Sequence, residues 1–136
     1  MTSGPVVGVG GVVLRGNHVL LVRRGHPPGQ GTWTLPGGKV ERGESLADAV
    51  RRELLEETSL RVTPGPLIEV VEIVREGFHY VVLDFLCMPE QAEQQPVAGS
   101  DADAVWWCEV SALSGAGATD ELIRVVAKAV SMSRAP

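Results

Sequence analysis

Residues 46–58 have the periodicity of an amphipathic helix. When successive residues are placed about 100° apart, four apolar side chains fall on one stripe. Ser45 is a good N-cap, and Asp48 three residues later gives a start that resembles a capping box. Pro64 lies beyond the expected end. The apolar stripe consists of Leu46, Ala49, Val50 and Leu54.

Other apolar segments are short, rich in β-branched residues and bounded by turn residues, which is typical of strands. A last helix begins near Thr119 or Asp120 and has its own apolar face. The polar stretch 88–103 is expected to be a long loop. The order predicts one α+β domain over residues 1–136, with a mixed sheet between helices. The expected strands cover residues 6–14, 19–24, 33–35, 67–75, 78–87 and 104–110.

Three carboxylates interrupt the apolar stripe of the first helix. Glu53 and Glu57 fall inside the stripe, and Glu56 lies at its edge. Residues three or four apart on a helix are neighbours, so these side chains can converge on one point. Carboxylates on a core-facing stripe are costly unless their charge is compensated. A divalent cation would compensate it, whereas a solvated acidic helix end is the alternative interpretation.

The segment around this helix resembles the Nudix box. Gly38 is followed after five residues by Glu44, and after seven more by Arg52 and the segment RELLEETSL. Every specified position of that signature is matched except one, because Ser59 stands where the family usually has glycine. That position follows the helix end, where a left-handed conformation suits glycine. The resemblance also covers GTWTLPGG before the box and extends over nearly the whole chain.

The resemblance implies an alpha/beta/alpha sandwich and a pyrophosphohydrolase that uses Mg²⁺, with Mn²⁺ as a substitute. It implies that Glu53, Glu56 and Glu57 bind the metal, joined by the backbone carbonyl of Gly37 or Gly38. Glu44 is expected to act through a water or to support the loop. Arg52 can reach Glu56 four residues later and hold it in one rotamer. The resemblance thus predicts a metal centre formed by the first helix and the segment before it.

The general base is left open between the box and a distant loop. The candidates are Glu56 or Glu57 on the helix, and Asp101 or Asp103 on the loop. Either aspartate could also complete a metal site.

Substrate contacts are expected on both sides of the box. Cationic side chains match phosphate oxygens, and aromatic rings can stack on a base or ribose. Phe78 and Tyr80 share a face of their strand, because alternate residues point to the same side. Trp33 has the same potential role, with core packing as the alternative. The cationic candidates are Arg23, Arg24 and Lys39.

Composition limits the possible partners. The chain of 136 residues has a net charge of −5, which disfavours a nucleic-acid backbone as partner. No apolar run has the length of a membrane span, and the first residues lack the pattern of a signal peptide. Cys87 and Cys108 lack a zinc-type neighbour, so reduced, buried thiols are expected. We therefore expect a cytoplasmic protein with a nucleotide-type substrate, and a homodimer is possible.

Three functions are compatible with this sequence. The first is hydrolysis of ADP-ribose to AMP and ribose 5-phosphate, because FHYVVLDFLC resembles the ADP-ribose pyrophosphatase subgroup. The second is a nucleoside triphosphate pyrophosphohydrolase, including enzymes that remove oxidised nucleotides. The third is a nucleotide-sensing domain without catalysis, which the intact glutamates of the box disfavour.

Overall fold

Seven strands and two α-helices form the fold in the computed structural model, which describes residues 4–99 and 102–135. A short 3₁₀ helix, Val110–Ala112, follows the last strand. In chain order the elements are β1 (Val6–Arg15), β2 (His18–Arg24), β3 (Trp33–Thr34), β4 (Gly37–Lys39), α1 (Leu46–Thr58), β5 (Val62–Arg75), β6 (Phe78–Pro89), β7 (Ala102–Glu109) and α2 (Asp120–Arg134).

The strands form one mixed sheet with the order β3-β2-β1-β6-β5, while β4 pairs with β1 and β7 pairs with β2. β1 and β6 are parallel, and their register places Gly10 beside Asp84. The other strand pairs are antiparallel. The mixed sheet expected from the order of elements is confirmed.

The two helices cover opposite faces of this sheet. Val13 of β1 packs in a core cluster with Leu54 of α1. The adjacent Val12 packs in a second cluster with Val126 of α2. Because successive strand residues point to opposite faces, each helix buries its apolar stripe against its own side. The expected alpha/beta/alpha sandwich is confirmed.

Both helices begin at hydroxyl caps that the sequence indicates. Ser45 accepts a hydrogen bond from the Asp48 amide, and Thr119 accepts one from the Leu122 amide. α1 ends at Ser59, whose φ of 64° is left-handed. Serine therefore occupies the conformation that the family pattern reserves for glycine, and its amide still bonds to the Leu55 carbonyl.

β5 is longer than the expected strand 67–75, because it begins at Val62. Pro64 interrupts the sequence pattern but does not end the strand. The register with β6 shifts between Pro64 and Leu67 and again between Leu67 and Glu69. Proline is tolerated at such irregularities and on edge strands, where no ladder bond needs its missing amide.

The loop before β7 is shorter than the expected 88–103, because β6 continues to Pro89 and β7 starts at Ala102. It is anchored to the last turn of α1. The Val97 amide donates to the Thr58 carbonyl over 2.8 Å, and the Gly99 amide donates to the Glu57 carbonyl over 3.1 Å. The loop therefore packs beside the end of the helix that carries the glutamates. Within the described ranges, no helix is long and apolar enough to cross a membrane.

Candidate active site

Two glutamates of α1 lie against the glycine strand β4. The Gly37 amide donates a hydrogen bond to Glu57 Oε1 over 2.9 Å. A Cβ atom on Gly38 would collide with the Glu53 carboxylate. Glu57 is only 9% exposed. The absence of a side chain at Gly38 therefore allows the Glu53 carboxylate to approach the backbone of β4 closely, while the Gly37 amide holds Glu57.

Arg52 organises the carboxylates on the outer side of this pair. Its Nε and one terminal nitrogen donate to the two oxygens of Glu44 over 2.7 and 2.9 Å. Its other terminal nitrogen donates to Glu53 over 2.6 Å and to Glu56 over 3.4 Å. The Arg52 guanidinium, helped by a hydrogen bond from the Glu41 amide, lowers the pKa of Glu44 to about 2. Hydrogen bonding to Glu44 in turn raises the pKa of Arg52.

Arg52 reaches Glu56 as the helical spacing indicates, over 3.4 Å, but its shorter contacts are with Glu44 and Glu53. Glu44 accepts two hydrogen bonds from the arginine and one from the Glu41 amide. The result is a clamp that holds the Glu53 carboxylate beside Gly38.

The three box glutamates do not converge on one point here. The Glu56 side chain is 45% exposed, compared with 13% for Glu53. Among residues 4–99 and 102–135, no three His, Cys, Asp or Glu side chains are close enough together to hold a metal ion. Mg²⁺ needs only one or two protein carboxylates, because it keeps waters and phosphate oxygens in its other positions. Glu53 and Glu57 therefore fit a magnesium site by their donor chemistry.

A cavity of about 630 Å³ opens beside this pair. Its floor is the face of the sheet that carries Tyr80, Val82 and Asp84 of β6, with Gly8 and Gly10 of β1 alongside. Val71 and Ile73 of β5 extend the floor, and Leu122 and Val125 of α2 border it. Glu53, Glu57, Gly37, Gly38 and Lys39 line the same cavity. A cavity of this volume suits a nucleotide-sized ligand.

Four of the expected substrate contacts line the cavity and two do not. Arg24, Trp33, Lys39 and Tyr80 line it. Arg23 is exposed and lies over the Trp33 ring at 5.8 Å. Phe78 shares a face with Tyr80 as expected, and it stacks on that ring with centroids 5.8 Å apart. Arg23 and Phe78 thus contact the rings of Trp33 and Tyr80, which line the cavity, but do not line it themselves.

Of the two distant-loop candidates for the general base, only Asp103 belongs to the described residues, and it does not line the cavity. Asp103 belongs to β7, is exposed, and lies opposite the irregularity between Arg23 and Arg24 of β2. It is a strand residue because β7 begins earlier than the pattern indicated. Asp101 lies outside the described residues.

Sequence reasoning missed Asp84 and several other polar residues at the cavity. Asp84 is 6% exposed, and burial followed by the charge of Glu69 raises its pKa to about 7. The available signal was one acidic residue within the apolar run 78–87. The others include Arg75, Glu76, Thr119 and Glu121, and the exposed His26 also lines the cavity.

Comparison with known protein families shows which family this chain belongs to. The model of the NUDIX domain matches residues 4–128. The chain belongs to the NUDIX family. The Nudix box is thus the segment that places Glu53 and Glu57 at the cavity.

Relatives and solved structures agree with this assignment. An ADP-ribose pyrophosphatase of Methanocaldococcus jannaschii is 46% identical over 56 residues, which cover 41% of this chain and 33% of that protein. A human 8-oxo-dGDP phosphatase is 32% identical over 98 residues, which cover 70% of this chain and 29% of that protein. A MutT NUDIX hydrolase from Burkholderia pseudomallei has a TM-score of 0.78 at 27% identity, over 93% of this chain and 98% of that one.

The matched part of this chain covers between 29% and 66% of the length of five curated relatives.

Proposed function

We propose that this Nudix protein hydrolyses the phosphoanhydride bond of a nucleoside diphosphate linked to another group, and that ADP-ribose is its substrate. The products are AMP and ribose 5-phosphate. One observation carries the proposal: Glu53 and Glu57 lie against the glycine strand at the edge of a nucleotide-sized cavity. Carboxylates beside a phosphate site are unfavourable without a cation, so their position favours metal-assisted chemistry.

Mg²⁺, or Mn²⁺ in its place, would be held by Glu53 and Glu57 with the backbone of Gly37 or Gly38. When bound, it screens phosphate charge and lowers the pKa of a bound water. Arg52 keeps the Glu53 carboxylate oriented through the hydrogen bond described above. Lys39 and Arg24 line the cavity and supply positive charge for the phosphate oxygens.

The hydrolytic step needs one water and one base. The water oxygen forms a bond to phosphorus, and the bond from that phosphorus to the bridging oxygen breaks. The water proton passes to the base, and the second phosphate leaves with the bridging oxygen. Glu57 lines the cavity whereas Glu56 and Asp103 do not, which favours Glu57 as the base.

Two sequence resemblances support the choice of ADP-ribose. The archaeal relative with 46% identity over 56 residues is an ADP-ribose pyrophosphatase. The floor strand β6 has the sequence FHYVVLDFLC, which resembles that subgroup. The human relative, an 8-oxo-dGDP phosphatase, favours an oxidised nucleotide as the second candidate.

The test is phosphate release, coupled to a phosphatase, across a substrate panel with Mg²⁺ and with a chelator. The panel contains ADP-ribose, the dNTPs, 8-oxo-dGTP, 8-oxo-dGDP, CTP, NADH and diadenosine polyphosphates. We expect Mg²⁺-dependent turnover that is highest for ADP-ribose. Preference for an oxidised nucleotide would replace the substrate assignment, and binding without any turnover would replace hydrolysis by nucleotide sensing.

A further inference from the structure

Asp84 is a buried carboxyl group that has no partner within the described part of the chain. It is 6% exposed, and no hydrogen bond or ion pair joins it to residues 4–99 or 102–135. One of its oxygens lies over Gly10 of β1, where a Cβ atom would collide with it. Because Asp84 lines the cavity, its unsatisfied oxygens are available to a bound molecule.

The surroundings of Asp84 favour its neutral form. Desolvation is the main cause of its raised pKa, and the carboxylate of Glu69 on β5 is the second. Glu69 is itself paired with Arg124 of α2, so the Arg124 guanidinium forms its ion pair with Glu69 and not with Asp84. A neutral carboxyl group has one donor and one acceptor side by side. Asp84 can therefore pair with a ligand edge that has an acceptor next to a donor.

The rest of the floor suits a flat, apolar ring. Tyr80 and Val82 precede Asp84 at alternate positions of β6 and point to the same face. Val71 and Ile73 lie beside them on β5 in direct register. On the other side, Gly8 and Gly10 of β1 pair with Val82 and Asp84 and add no side chain. The floor is thus an apolar platform with one carboxyl group at its end.

We propose that Asp84 hydrogen-bonds the nucleobase of the substrate, and that it is a specificity-determining residue of this enzyme. The inference rests on the proposed function and deepens it. For adenine, the carboxyl proton goes to ring nitrogen N1 while the carbonyl oxygen accepts from the exocyclic amino group. The base then lies on the valine and tyrosine platform, and the diphosphate extends toward Glu53 and Glu57.

The experiment compares two ligands that differ by the base. AMP contains adenine, and ribose 5-phosphate lacks it. Binding of each to the whole protein is measured by calorimetry with Mg²⁺; neither ligand contains a phosphoanhydride bond, so the result does not depend on turnover. The variants are Asp84→Leu, which removes both polar groups at similar size, and Asp84→Asn, which keeps a donor and an acceptor. Glu72→Gln is the matched control, because it changes an exposed carboxylate of β5 that is bonded to His79.

We expect Asp84→Leu to weaken AMP binding at least about tenfold and to leave ribose 5-phosphate binding unchanged. Asp84→Asn should restore most of the AMP affinity, and Glu72→Gln should match the parent. Equal loss for both ligands, no loss for AMP, or no rescue by asparagine would overturn the proposal. Thermal unfolding of each variant checks that the fold is kept.

The two proposals fail in different ways. If no nucleotide is hydrolysed but AMP binding still depends on Asp84, hydrolysis is wrong and the base contact stands. If ADP-ribose is hydrolysed and the Asp84→Leu variant has the parent's KM, the base contact is wrong and hydrolysis stands.

Discussion

At the scale of single residues, similar carboxyl groups differ because their neighbours differ. Glu53, Glu56 and Glu57 lie within one turn of a helix, yet two line the cavity and one is half exposed. The helical spacing predicted that they are neighbours. It could not predict their rotamers, because Arg52 bonds simultaneously to Glu44, Glu53 and Glu56. Which of these contacts is shortest depends also on how β4 packs against the helix.

Asp84 gives a residue-scale prediction about pH. Its pKa of about 7 in the folded protein is above its ordinary value of 3.8. Between these values the folded state holds a proton that the unfolded state has released, so the contribution of Asp84 to stability falls as pH rises. The Asp84→Asn variant lacks this titration. Its free energy of unfolding relative to the parent should rise by about 4 kcal/mol from pH 4 to pH 8, at about 1.4 kcal/mol per pKa unit.

Urea unfolding of parent and variant at pH 4, 6 and 8 measures that difference. The comparison removes the effect of groups that both proteins share, such as Glu44, whose lowered pKa acts in the opposite direction. A difference in unfolding free energy that is the same at all three pH values would contradict the buried, unpartnered state of Asp84.

At the scale of elements, the sequence predicted what local chemistry determines. α1 has the expected bounds because its cap, apolar stripe and left-handed end are all encoded within 15 residues. β5 exceeds its expected start because pairing with β6 continues past Pro64 through a register shift. Such an extension depends on a partner strand, so the local pattern does not reveal it.

The glycine strand β4 gives an element-scale prediction with two distinct outcomes. A Cβ atom on Gly37 would collide with the Val9 backbone, which cannot move without disturbing β1. The three atoms nearest to a Cβ atom on Gly38 would all belong to the Glu53 carboxylate, at the end of a side chain. We expect Gly37→Ala to lower the free energy of unfolding by about 1–3 kcal/mol. Gly38→Ala should keep most of the stability and lose turnover, because it displaces Glu53.

Chemical denaturation and ADP-ribose turnover of both variants check this contrast. Gly43→Ala is unsuitable as a control because Gly43 has a positive φ of 82°. Gly115→Ala is suitable, because its nearest contact would be 3.6 Å away and the site lies outside the cavity lining. Full activity of Gly38→Ala would show that the close approach of Glu53 to β4 is not needed.

At the scale of the whole molecule, the site depends on contacts that the linear pattern does not contain. The box could be recognised because its residues are contiguous. The cavity combines β1, β4, β5, β6 and α2, whose residues meet only when the sheet closes between the helices. Asp84, Arg75 and Glu121 were therefore missed, whereas Trp33, Lys39 and Tyr80 were found because they follow family motifs or aromatic patterns.

The measurement that tests the central claim most directly is Mg²⁺-dependent ADP-ribose turnover by Glu53→Gln and Glu57→Gln. Asp48→Asn is the matched control, because Asp48 is an exposed acid of the same helix that pairs with Arg51. We predict that both glutamine variants keep the parent's unfolding midpoint and lose at least about 100-fold in kcat, because an amide is a poor Mg²⁺ ligand and no base. Asp48→Asn should match the parent. Parent-like turnover by both glutamine variants would contradict the claim that these two carboxylates form the catalytic centre.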